Sequence, residues 1–330
     1  MIKLWAHECL RIFHDRLISD LDREQWVAML KGKIKEKFKK EWDAIVTVKP
    51  LLFGSFVPTI YPDGDETKKP FRDLYCELTN RQMLKKIAEG GLEDFNNINR
   101  SKKMDLVLFT DALEHIVKIH RVITTEGGNC LLVGVGGSGR KSLTELSVFI
   151  SMQESIVLDM PKGYDFAAWR EDMKNNLFIP CGTEAKPIVF AFSDTQIILE
   201  AFLEDINNIL NNGKIPNLYN NEDISQIIET MKDIKKMDAD FKEIAEDNTA
   251  VVKLYEETAQ ANLHVVLTMS PIGDDFKRRL RMFPALVNCC TIDWFLPWPK
   301  DALESVAQNF LERIDDLPQI DGIVRICVDM

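Results

Sequence analysis

"CLLVGVGGSGRKS", Cys130 to Ser142, decides how this chain reads. An apolar run leads straight into a glycine-rich loop, and a helical pattern begins near Arg140. In that strand–loop–helix order, successive backbone N–H groups and a helix N-terminus all face one anion. Gly134 and Gly139 stand where the phosphate-loop pattern G-x-x-x-x-G-K-[ST] needs glycine, with Val135, Gly136, Gly137 and Ser138 between them. Gly136, Gly137 and Gly139 permit the positive φ and close backbone approach that such a nest requires. The competing reading is a glycine turn with a purely structural role.

The next two positions depart from the pattern. Arg140 keeps a cation where lysine would bridge the terminal phosphates, but it is longer, planar and forked. Lys141 replaces the hydroxyl that would ligate Mg²⁺, and an ammonium repels the ion instead. Shifting the register to use Lys141-Ser142 fails, because Arg140 and not glycine precedes them. Ser142 reaches a metal only if the loop rearranges. The loop reads as one that grips a polyphosphate and is poorly equipped for the metal.

Outward from the loop, four more short apolar runs follow: "SIVLDM", "PIVFAFSD", "HVVLTMS" and "CTIDWF". Helical patterns separate them over 140–152, 166–176, about 197–211 and 222–261. This alternation predicts an α/β fold with a five-stranded, parallel, doubly wound sheet flanked by helices. At the end of the third run, Ser193 and Asp194 occupy the place of an acidic pair that would hold the metal and position water. Ser193 lacks the charge, and Asp194 is one methylene shorter than glutamate. Asp194 as a simple helix cap is the alternative. The fourth run ends in Ser270, a polar residue placed to reach a γ-phosphate or the water. Ser193, Asp194 and Ser270 are the candidate catalytic residues, and Ser142 or Asp194 the candidate Mg²⁺ ligands. The basic cluster Lys277, Arg278, Arg279 and Arg281 reads equally as a solvated helix face and as arginines reaching a neighbouring site.

The flanks read as helical. Trp5, Leu10, Ile12, Phe13, Leu17 and Leu21 recur at helical spacing within 3–40, and the run "KGKIKEKFKK" reads as a solvated face. Pro50, Gly54, Pro58, Pro62, Gly64 and Pro70 punctuate a linker. Residues 74–123 are helical again, with a break expected at Gly90-Gly91, and another helix is expected over 302–314 beyond Pro297–Pro299.

Composition narrows the class. Of 330 residues, 45% are hydrophobic and 28% charged, as in ordinary globular domains. No apolar run approaches the roughly 20 residues of a membrane span. The amphipathic start is no signal peptide, so a cytosolic chain, or a cytosolic piece of a larger one, is expected. A formal net charge of −11 suits neither nucleic acid nor another polyanionic surface. Seven cysteines without C-x-x-C spacing and five dispersed histidines argue for reduced thiols and against zinc.

Longer stretches carry a resemblance. "NCLLVGVGGSGRKSL", "GYDFAAWREDMK", "FSDTQI", "FLEDINNILNNGKIPNLY" and "NLHVVLTMSPIGDDFKRRLRMFPALVNCCTIDWF" together resemble the fourth AAA+ module of dynein heavy chains. "HECLRIFHDRLISDLDREQW" resembles the helical lid that closes the preceding module. The cytoplasmic type has Lys-Thr in the loop, Asp-Glu after the third strand, Asn at the place of Ser270 and Arg at that of Cys289. The "GSGR" loop, "FSDTQ" and "VNCC" are instead similar to the ciliary and flagellar dyneins.

The resemblance implies an AAA+ P-loop fold with partial helical lid segments. Residues 1–50 would be a lid remnant, 51–125 a linker and helical part, 126–299 the large α/β subdomain and 300–330 the start of the small one. It implies ADP or ATP as cofactor, with Mg²⁺ absent or weakly held, and Leu106, Val107, Leu108 and Phe109 wrapping the adenine. The implied partners are neighbouring modules of the same heavy chain, and intermediate and light chains through the full-length chain. Microtubule contact would be made only through a stalk that follows this module. Neither nucleic acid nor membrane is expected, and the location is the cytoskeleton of the axoneme. A ring spacer with an empty site is the competing function. A small-molecule phosphotransferase is disfavoured, because no acceptor site is recognisable.

Overall fold

The computed structural model of the chain describes residues 1–57, 74–236, 239–314 and 319–329. It divides into two compact units. The first comprises Met1–Arg121, Gly134–Ile150 and Trp294–Met330, the second Val122–Val133 and Ser151–Asp293.

The five expected runs form one parallel sheet. Its strands are β1 (Cys130–Gly134), β2 (Glu154–Ile156), β3 (Ile188–Ser193), β4 (Leu263–Met269) and β5 (Thr291–Phe295), in the order β2-β3-β4-β1-β5. Registers run from Glu154 opposite Ile188, Ile188 opposite Leu263, and Cys130 opposite Val266. β1 and β4 are buried along their whole length, which is why they read as unbroken apolar runs. β2, at the edge, pairs over three residues only, and the following Val157 is half exposed.

The second unit is built around Trp169. This side chain is fully buried, stacks on Phe202 at 4.4 Å and meets Phe192 edge-on. Its Nε1 donates to Asp205, which also accepts from Arg170 at 2.9 Å. Asp205 is only 2% exposed, so its charge requires these donors. The helical pattern at 166–176 runs further than expected: Phe166–Asp172 continues through a wide turn, Met173–Phe178, into Ile179–Thr183. Pro180 stands in the first turn of that last piece, just beyond the wide turn. Among the described residues the region 222–261 comprises three helices, Asn221–Ile234, Ala239–Ile244 and Asn248–Asn262, the first entered through an Asn220–Asp223 capping box.

In the first unit the expected break at Gly90-Gly91 does not occur. A single helix runs Arg81–Ile98, capped by the Asn80 side chain. Gly91 serves close packing: a Cβ there would lie 2.9 Å from Ile150 on the helix Arg140–Ile150. Residues 74–80 are not helical either, since Cys76–Glu77 pairs antiparallel with Phe53–Gly54. The linker positions Pro58, Pro62, Gly64 and Pro70 lie outside the described residues. The helix Ile2–Cys9 is anchored through His7, whose ring bonds the Leu51 carbonyl at 3.0 Å and the Tyr75 hydroxyl at 2.8 Å. That hydroxyl donates to Glu8, and the Arg121 guanidinium lies 4.1 Å from the Tyr75 ring. Among the described residues no helix is long and apolar enough to cross a membrane.

Candidate nucleotide site

The loop after β1 belongs to the first unit. Gly134 is packed so closely that a Cβ would lie 2.7 Å from the Phe295 Cβ. Gly137 and Gly139 take φ of +81° and +86°, which only glycine adopts at little cost. Gly136, expected to share that conformation, does not. Ser138 N donates back to the Val135 carbonyl at 3.3 Å, and Leu143 N to Gly139 at 2.9 Å as the helix begins at Arg140. The N–H groups of a helix's first turn have no helical acceptor, so they stand ready for an anion.

Space and an unused donor accompany them. A Cβ at Gly136 or Gly137 would meet nothing within 4 Å, and Ser138 Oγ is buried without a hydrogen-bond partner. One Arg140 N–H donates to the Val135 carbonyl at 3.2 Å, so this cation also braces the loop. Lys141 is exposed and Ser142 half-buried.

Leu106 to Phe109 precede the helix Thr110–Ile123 without regular structure, Phe109 N donating to the Val107 carbonyl at 3.2 Å, with Leu108 buried and the others half-buried. Asn96 holds the start of this segment, bonding both the carbonyl and the N–H of Met104. Phe109 meets Trp298 edge-to-face at 5.3 Å, and His115 stacks on Phe295 at 3.7 Å. Phe295 and Trp298 escape the sequence reading, which takes "PWP" only as a boundary. Their one signal is aromatic residues flanked by proline just beyond a buried strand.

The second unit brings the three candidate catalytic residues together. Asp194 Oδ2 accepts from Ser270 N at 2.7 Å, and Oδ1 from Ser193 Oγ at 3.3 Å. Capping falls to Ser193 and not to Asp194. Ser193 N donates to Gln196 Oε1 at 2.8 Å, and its Oγ accepts from Thr195 N. Within the basic cluster, Arg278 donates to Glu200 and Asp275, and Arg279 lies 3.6 Å from Glu200. Both arginines thus have a carboxylate neighbour within the second unit.

Among the described residues no three His, Cys, Asp or Glu side chains converge on a point that could hold a metal. A nucleotide-borne Mg²⁺ needs only one or two protein ligands, and Ser142 and Asp194 are of the right type. Ser142 adjoins the Lys141 ammonium, however, and Asp194 already accepts two hydrogen bonds. The open cradle and the orphaned Ser138 hydroxyl fit a polyphosphate; the metal donor set is poorer.

Residues 104–330 match the family model described as the P-loop containing dynein motor region D4. The chain belongs to the dynein heavy-chain family. It is 40% identical to dynein axonemal heavy chain 1 of Mus musculus over 332 residues, and equally so to that of Homo sapiens. Each alignment covers 99% of this chain and 7% of the relative. Against the dynein-1-beta heavy chain of the flagellar inner arm I1 complex of Chlamydomonas reinhardtii, identity is 39% over 96% of the chain. The chain thus spans about 7% of the length of these dyneins. The dynein model match begins at residue 104 and so takes in the 106–109 segment, the glycine loop and all five strands.

Proposed function

We propose that this chain is a nucleotide-holding regulatory module of an axonemal dynein motor that binds ADP or ATP and hydrolyses it slowly at best. The observation that carries the reading is the loop Gly134–Ser142. Its left-handed glycines, open cradle and helix start supply main-chain donors whatever the side chains at Arg140 and Lys141 are. The state of Asp194 supports slow hydrolysis: a carboxylate that accepts from Ser270 N and Ser193 Oγ is poorly free to position water.

On this reading residues 1–50 are lid material of a preceding module, 51–125 a linker, 126–299 the large subdomain and 300–330 the start of a small one. Neighbouring modules of one heavy chain are the immediate partners. Intermediate chains, light chains and microtubules are engaged by other parts of that heavy chain, in the axoneme of a cilium or flagellum. Any Mg²⁺ would be held mainly by the nucleotide, with Ser142 or Asp194 as auxiliary ligands.

A thermal unfolding series with ADP and ATP tests the reading. A hundredfold excess over Kd should add about 2.7 kcal/mol of stability. An unmoved midpoint favours the spacer with an empty site. Brisk turnover that disappears in Asp194→Ala would overturn the slow-hydrolysis half alone.

A further inference from the structure

The end of β5 and the residues just after it touch both ends of the candidate site. Phe295 packs on Gly134 at the root of the phosphate loop, and three residues on Trp298 meets Phe109 in the segment ahead of Thr110. Three residues of chain span at most about 10 Å, a reach comparable with that of a nucleotide from its phosphates to its base. Pro297 and Pro299 flank Trp298, and their locked φ stiffens the segment. The rings of Phe109 and Trp298 are inclined at 65°, and such an edge-to-face contact covers at most one face of one ring. Trp298 is also partly exposed, unlike the sealed Trp169. A second tie lies close in sequence: Arg313 pairs with Asp105, one residue before Leu106.

We propose that Trp298 is the platform on which the nucleotide base stacks, with Phe109 bracing the indole and the Asp105–Arg313 pair holding the adjoining segment. The inference rests on the nucleotide-binding reading and adds the residue that selects a base-bearing ligand over bare polyphosphate. Stacking needs a π face and no particular hydrogen-bonding edge, so the platform should discriminate little between adenine and guanine.

Calorimetric titration of the whole chain with ADP, GDP and inorganic pyrophosphate tests this, comparing the unmodified protein with Trp298→Ala and Trp298→Phe. Trp298→Ala should weaken ADP and GDP about tenfold, within the range seen when a stacking aromatic is truncated, and leave pyrophosphate unchanged. Trp298→Phe should recover most of the loss. The retained pyrophosphate affinity also reports that the variant is folded. Equal ADP affinity in Trp298→Ala, or an equal loss for ADP and pyrophosphate, overturns the platform while leaving nucleotide binding intact. An unmodified chain that binds none of the three ligands overturns both readings.

Discussion

The glycine loop and the Ser193–Asp194–Ser270 cluster treat their polar groups in opposite ways. In the loop, a buried Ser138 hydroxyl has no partner and the first-turn N–H groups have no helical acceptor. In the cluster, both Asp194 oxygens accept hydrogen bonds and Ser193 is occupied in a capping box. A main-chain grip survives side-chain replacement, because every residue except proline carries the same N–H. Positioning water for attack calls for a carboxylate, and on the proposed reading two of the acceptor sites of Asp194 are already taken by the fold. The proposed function therefore treats binding and cutting as separable.

The most demanding challenge to this contrast is to rebuild the cutting side. Combining Arg140→Lys, Lys141→Ser, Ser193→Asp and Asp194→Glu should raise phosphate release about a hundredfold, the lower end of what positioned acid–base groups supply. Unchanged turnover would place the deficit outside these four positions.

Acid should next expose a weakness in the unit that carries the loop. Burial lowers the His120 pKa from 6.5 to about 4. The unfolded chain then takes up a proton that the folded chain resists. Stability is full above pH 6.5 and declines as pH falls towards 4, by up to about 3 kcal/mol from this group. Denaturant unfolding between pH 7 and 4 checks this, and His120→Phe should flatten the profile. Burial likewise lowers His7 in the same unit and His264 in the other, and both act in the same direction.

Two single substitutions should separate grip from cut. Gly134→Ala drives a Cβ into Phe295, so it should cost about 1–3 kcal/mol and abolish the stabilisation by ADP. Asp194→Ala leaves the half-buried Ser270 N–H without its acceptor. Its cost should fall near the lower end of about 1–3 kcal/mol, with ADP affinity unchanged. If Asp194→Ala weakened ADP as strongly as Gly134→Ala, the separation would fail.

What the sequence reveals and conceals follows the range of the interactions. The central strands are legible because neighbours such as Leu131 and Leu132, or Val265 and Val266, are apolar on both faces of a buried sheet. The loop is legible because left-handed backbone at positions 137 and 139 favours glycine locally. Gly91 misleads, since a weak helix preference is outweighed by close packing against Ile150, a partner 59 residues away. The cap at Ser193 is local but ambiguous, because serine and aspartate compete for the same role. Trp298 stays hidden for the plainest reason: its partner Phe109 lies in a segment separated by the whole sheet sequence.

The central claim, that main-chain donors still hold a nucleotide after the cutting side chains have changed, is tested most directly by equilibrium titration with ADP. Magnesium and a chelator should be compared, in the unmodified chain and in Asp194→Ala. One ADP per chain is expected, with an affinity that barely responds to chelation or to the substitution. No binding, or binding that vanishes when the metal or the Asp194 carboxylate is removed, would contradict it.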